Sequence, residues 1–112
     1  MAIHYGGQPC DMDYLINLKE KNGIRIIEDA AHAFGSTYKG SKIGSSGDIT
    51  CFSFGSQKNI TCGEGGAILT DDENFDNLCR QKRLLGMDRK SHSSSSWKDR
   101  SWMYDVPVQG YR

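Results

Sequence analysis

Two short β-branched runs constrain this chain more than any other feature. The first is Ile24-Arg25-Ile26-Ile27 and the second is Ile49-Thr50-Cys51-Phe52-Ser53-Phe54. Each is short enough for a buried strand, and β-branched and aromatic residues suit a pleated sheet. A helix-patterned segment, residues 11–22, precedes the first run. Asp11 or Asp13 can cap its first N–H groups, and Tyr14, Leu15 and Leu18 fall on one face. Gly23 follows, where a helix ends in a left-handed residue. A helix followed by strands on short connections predicts an α/β layered architecture.

Beyond the first run, residues 30–48 are crowded with small side chains. They read as loop and turn, with one helical turn near Ala30 to Ala33. Residues 55–59 break the second run, Gly63-Glu64-Gly65-Gly66 is a bend, and Ala67-Ile68-Leu69-Thr70 is a third strand. Thr70-Asp71-Asp72-Glu73 fits a capping box. The helix it opens is expected to reach about Leu85, with Phe75, Leu78, Cys79 and Leu85 inward and Gly86 closing it. Residues 88–101 are polar, and their serine tract reads as a surface loop. A parallel sheet needs both faces covered, so this few elements predict exposed apolar surface.

Composition removes several function classes. The chain has 112 residues, at most one domain. Lys+Arg and Asp+Glu each total 14, a balance that argues against nucleic acid as a partner. No apolar run approaches the roughly 20 residues of a membrane span, so no membrane partner is expected. The opening residues lack a signal-peptide layout, which places the protein in the cytoplasm. Cys10, Cys51, Cys62 and Cys79 form no C-x-x-C pair and have no histidine at metal-ligand spacing, so no metal is expected. They read as reduced thiols used as small core residues.

The chemistry concentrates at two strand ends. Asp29 follows the first run and Lys58 stands a few residues beyond the second. Ligands of open α/β sheets bind outside the carboxyl ends of parallel strands. If these strands are parallel, an acid and an amine project from one edge. That pair suits pyridoxal phosphate (PLP): the amine forms a Schiff base with the aldehyde, and the carboxylate keeps the pyridine nitrogen protonated. Ser53, Ser56 and the glycine-rich bend offer hydroxyl and N–H groups for a phosphate. Spacing alone fits plainer roles equally well. Lys58 reads also as a solvated lysine, Asp29 as the cap of the next turn, His32 as a surface histidine, and the bend as an ordinary turn.

Several motifs in one order narrow the reading. They are the string Ile27-Glu28-Asp29-Ala30-Ala31-His32-Ala33-Phe34-Gly35, then Gly47-Asp48-Ile49, Phe52-Ser53-Phe54, Lys58-Asn59-Ile60-Thr61 and Gly63-Glu64-Gly65-Gly66. With His4-Tyr5-Gly6-Gly7-Gln8-Pro9 before them and Trp102, Tyr104 and Gly110-Tyr111-Arg112 after, they closely resemble the DegT/DnrJ/StrS family of sugar aminotransferases. The resemblance spans nearly the whole chain except residues 88–101.

The resemblance implies the central part of the large PLP-binding domain of a fold-type-I aminotransferase. It implies a mostly parallel sheet flanked by helices, with the N-terminal cofactor segment and C-terminal small domain absent. Lys58 matches the Schiff-base lysine, and Asp29 the partner of the pyridine nitrogen. His32 matches a position near the cofactor ring and its phenolic oxygen, and Ser53 a phosphate-binding serine. The implied reaction moves an amino group, from glutamate, to a nucleotide-linked keto sugar of surface-polysaccharide or antibiotic biosynthesis, in a homodimer. Two other readings stand beside it: a truncated inactive remnant, and a PLP-dependent sugar dehydratase, which Lys58 disfavours. The sequence departs from the family at Gly55, Cys62 and Leu85, where histidine, threonine and histidine are common.

Overall fold

The computed structural model describes residues 1–45, 48–88 and 105–111, which fall into two compact units, Met1–Asp71 and Asp72–Arg112. The serine-rich tract, Gly47, Trp102, Tyr104 and Arg112 lie outside the described residues.

The first unit is built on a four-stranded sheet. Its strands are β1 (Ala2–Ile3), β2 (Ile27–Asp29), β5 (Ile49–Ser53) and β6 (Gly66–Leu69), in the order β1-β2-β5-β6. The first three are mutually parallel, and β6 runs antiparallel to β5. Helix α1 (Met12–Asn22) connects β1 to β2. The Asp11 carboxylate accepts from the Tyr14 N–H at its start, and Gly23 ends it at φ +62°. Both ends follow the sequence reading. Tyr14, however, is exposed, and Met12 is the buried residue of the helix.

Strand β2 begins later than the first β-branched run. Ile24 lies outside the ladder and is exposed, while the strand takes in Glu28 and Asp29. The reason is Asp48. Its Oδ2 accepts from the Ile26 N–H at 2.9 Å, and its Oδ1 accepts from Lys19 Nζ at 2.7 Å. One carboxylate thus ties α1, the entry to β2 and the entry to β5. The Ile49 N–H then donates to the Ile26 carbonyl, and pairing proceeds through Ile27↔Ile49, Glu28↔Thr50 and Asp29↔Cys51.

Side chains alternate across a sheet, so this register sorts residues by face. Ala2, Glu28 and Thr50 share one face and are all buried. Residues 30–45 fold over that side. Ala30, Ala33, Ile43 and Phe52 form the core, with Tyr38 and Phe54 packed against it. Full burial of a Phe side chain is worth about 1.5–3 kcal/mol. Ile3, Asp29, Cys51 and Ile68 share the other face, where Ile3 is 51% and Ile68 52% exposed. The expected open apolar surface is therefore present, on one face. Within the covering segment a hairpin forms from β3 (Thr37–Tyr38) and β4 (Ser41–Lys42), which the sequence reading leaves as loop. Its turn residues Lys39 and Gly40 both have positive φ, as two-residue hairpins require, but lysine gives no signal for it.

The second unit centres on α2 (Glu73–Lys82). Its N-cap is Asp72, whose Oδ1 accepts from the N–H groups of Asn74 and Phe75, both at 3.0 Å. The expected capping box at Thr70 is thus displaced by a stronger acceptor next to the helix. The helix stops at Lys82 rather than near Leu85, because the Tyr111 N–H takes the Lys82 carbonyl at 2.7 Å and the Leu85 N–H takes that of Tyr111. Leu85 is consequently 50% exposed, against the inward placement expected. The backbones approach so closely that a Cβ on Gly86 would stand 1.8 Å from the Val108 oxygen.

Asp48→Ala is expected to lower the unfolding free energy by about 1–3 kcal/mol in urea denaturation. The Lys19 hydrogen bond, and then the Ile26 N–H, hold the Asp48 carboxyl below its usual range. Its folded value lies under the unfolded one. Its contribution is therefore full above the unfolded carboxylate range and is lost as pH falls through the folded value. Asp48→Asn should flatten that acid limb of the stability curve.

Candidate active site

The candidate residues gather where β2 and β5 end. Because these strands are parallel, Asp29 and Ser53 terminate at one edge. Asp29 pairs with Cys51, and Ser53 lies two positions further, so both side chains belong to the open face. Asp29 is half-buried. Its Oδ1 accepts from the Ala31 N–H at 3.1 Å, and its carbonyl accepts from the His4 N–H at 3.0 Å. The capping role read from sequence is therefore real, and it uses one carboxylate oxygen.

The turn after Asp29 carries His32. The Ala33 N–H closes it on the Ala30 carbonyl at 2.9 Å. Ala30 and Ala33 are both 0% exposed, so only small side chains fit this turn against the core. His32 is exposed at its tip. Its Nδ1 accepts from the Gly6 N–H at 3.3 Å, and the Tyr5 ring meets it edge-on with centroids 5.8 Å apart. An accepting Nδ1 places the proton of the neutral ring on Nε2.

Lys58 rides on the loop between β5 and β6. Its N–H donates to the Gly55 carbonyl, and the residue is half-buried. The loop is held at several points. The Cys62 N–H and Thr61 Oγ1 both donate to the Phe54 carbonyl at 3.1 Å, and the Phe54 N–H donates to the Gly65 carbonyl at 2.8 Å. Asn59 Nδ2 donates to the Phe34 carbonyl at 2.8 Å, tying the lysine loop to the segment just after His32. Phe34 in turn meets Phe52 and Phe54 edge-on. No ion pair joins Lys58 to Asp29; among the described residues the Lys58 amine makes no hydrogen bond or ion pair.

Ser53 Oγ accepts weakly from the Gly55 N–H at 3.4 Å. The glycines of the bend serve the backbone. A Cβ on Gly66 would lie 2.6 Å from the Phe52 oxygen across the β5–β6 ladder. None of the four cysteines forms a disulfide. Cys10, Cys51 and Cys79 are half-buried, whereas Cys62 is exposed, so it is not the core residue the sequence suggests. Burial pushes the Cys79 thiol up, which suits an inert thiol. Among the described residues no cluster could hold a metal ion, and no helix is long and apolar enough to cross a membrane.

One constellation escapes sequence reasoning. His4, Glu28 and Thr50 are buried on the covered face, with His4 Nε2 2.9 Å from Glu28 Oε2 and Thr50 Oγ1 3.0 Å from Glu28 Oε1. Strand parity is the signal that could have found it, since Glu28 must face opposite Asp29.

Comparison with known proteins gives the family. Residues 1–107 match the DegT/DnrJ/EryC1/StrS aminotransferase family, and the chain belongs to it. It is 44% identical over 112 residues to the Bacillus subtilis spore coat polysaccharide biosynthesis protein SpsC, covering all of this chain and 28% of SpsC. Among solved structures it resembles Helicobacter pylori PseC, an aminotransferase involved in the biosynthesis of pseudoaminic acid. That match has a TM-score of 0.83 and 27% identity, over 97% of this chain and 27% of PseC. It also resembles the PLP-form of the Streptococcus pneumoniae putative sugar aminotransferase Spr1654. There the TM-score is 0.76 and the identity 30%, over 98% of this chain and 31% of that one. The chain thus spans under a third of the length of the curated relatives it matches. The α/β sheet is that of fold-type-I sugar aminotransferases.

Gly66→Ala should break the β5–β6 ladder, because the atom it strikes is backbone and cannot rotate away. The expected cost is more than about 1 kcal/mol, with lost amide-exchange protection at Phe54. Unchanged protection there would contradict the close approach.

Proposed function

We propose that this chain supplies the cofactor-bearing core of a PLP-dependent aminotransferase. It would move an amino group, from glutamate, to a nucleotide-linked keto sugar in polysaccharide or antibiotic-sugar biosynthesis. The observation that carries this is the parallel pairing of β2 and β5, which sets Asp29 and the Lys58 loop at one sheet edge. Family membership supports the reaction class, and the PLP- and PMP-forms described for Spr1654 support the cofactor. The reading extends to a homodimer in the cytoplasm.

The donor set fits PLP. Asp29 offers a half-buried carboxylate to a protonated pyridine nitrogen. His32 offers an Nε2–H to an oxygen on the ring, since Gly6 occupies its Nδ1. Ser53 offers a hydroxyl to the phosphate, and Lys58 an amine that is not committed to an ion pair among the described residues. When bound, PLP supplies an aldehyde that bonds an amine and a pyridinium ring that takes up an electron pair. Asp29 would keep the proton on the ring nitrogen, because a nearby negative charge favours the protonated form. Lys58 Nζ would hold the aldehyde at rest and, when free, would take a proton from the carbon on one side of the amino nitrogen and return it to the carbon on the other.

Mixing the protein with PLP, dialysing and recording a visible spectrum tests this directly. The parent should hold cofactor that borohydride fixes to Lys58. Lys58→Ala should lose it entirely, and cofactor still fixed by borohydride in that variant would sink the assignment. Asp29→Asn should weaken PLP retention about 10- to 100-fold, the worth of one charge-assisted hydrogen bond.

A further inference from the structure

We infer that the buried His4–Glu28–Thr50 row is a positioning device for Asp29 and His32, an inference that rests on the cofactor reading above. The row crosses three parallel strands. Glu28 of β2 pairs with Ala2 of β1 and Thr50 of β5, and His4 directly follows β1. His4 and Thr50 are 1% exposed and Glu28 is 0%. A carboxylate buried this deeply is costly unless both oxygens find donors. Here Oε2 receives His4 Nε2–H and Oε1 receives the Thr50 hydroxyl. His4 can donate only because its Nδ1 accepts from the Cys10 N–H at 3.1 Å, which fixes the ring proton on Nε2.

An apolar trio would fill the same space at less cost. What it would lack is direction. His4 is the hub of three bonds, two to β2 and one to the segment that leads into α1. Its backbone N–H donates to the Asp29 carbonyl, its Nε2 to Glu28, and its Nδ1 accepts from Cys10. The chain then turns at once through residues 5–7, with Gly6 at φ +59°. That turn delivers the Gly6 N–H to His32 Nδ1 and the Tyr5 ring to its edge. Ser36 Oγ clamps the far side of the turn through the Gly7 carbonyl at 2.8 Å. One buried residue therefore holds the backbone of Asp29 and launches the turn that sets the His32 tautomer. His4, Glu28 and Thr50 act as positioning residues, since none needs to touch the cofactor.

The test replaces the row by apolar groups of similar volume, His4→Phe with Glu28→Met and Thr50→Val. Replacing all three leaves no orphaned charge or hydroxyl within the row, so the urea midpoint should stay near that of the parent. ¹⁵N NMR of His32, read without cofactor, should change from one Nε2–H tautomer to a mixture. PLP retention should fall at least about tenfold, as displaced cofactor-facing groups do. Glu28→Gln can still accept from His4 and donate to Thr50, and should keep His32 in one tautomer. If the triple variant does not fold, His4→Gln takes its place. Its amide nitrogen still donates to Glu28, but its oxygen lies one bond further from the backbone than Nδ1 and leaves the Cys10 N–H without its acceptor, so the same tautomer mixture is expected. A folded triple variant (or His4→Gln) with parental tautomer and parental PLP retention would overturn the inference, as would tautomer loss in Glu28→Gln. Failure of the cofactor reading is separate: the parent itself would then take up no PLP that borohydride fixes.

Discussion

The site depends on the register in which Glu28 faces Thr50 and Asp29 faces Cys51. A slip of one residue exchanges the two faces of a strand. It would bury Asp29 in the core and turn Glu28 outward. Apolar alternation guards most strands against that error, but β2 holds only one apolar residue, the exposed Ile27. Directional bonds do the work instead. Glu28 finds both donors only in this register, and Asp48 sets the entry of both strands from one carboxylate.

The two faces divide the labour. The covered face holds the core, Ala30, Ala33, Ile43 and Phe52, together with the polar row. The open face carries Asp29, Cys51 and Ser53 in register beside exposed Ile3 and Ile68. Rigidity below and access above is the arrangement in which a site gains precision from its supporting shell. The lysine loop adds a second fixed point, because Asn59 ties it to Phe34, just past the turn that bears His32.

Local chemistry made much of this legible in the sequence. Asp11 and Gly23 bracket α1 as read, since caps act through their nearest neighbours. The β5 run is an ordinary strand pattern and was found to within a residue. Strand β2 was misplaced because its burial falls on an acid, so hydrophobicity points to the preceding isoleucines. Strand β1 is two residues long and leaves no pattern to read. The α2 boundaries shifted because long-range bonds to residue 111 end the helix early. At the site, Asp29, His32, Ser53 and Lys58 came forward through ordered motifs. The row beneath them did not, because burial of a glutamate is set by partners 22 and 24 residues away in sequence.

That row also bears on how such a sequence can drift. Each member is bonded within the row, so one apolar replacement leaves a buried donor or acceptor stranded, whereas a coordinated apolar replacement does not. Positions 4, 28 and 50 therefore form a single evolutionary character. In related chains they should be inherited together or exchanged together, even though they stand far apart in sequence and none lies on the open face.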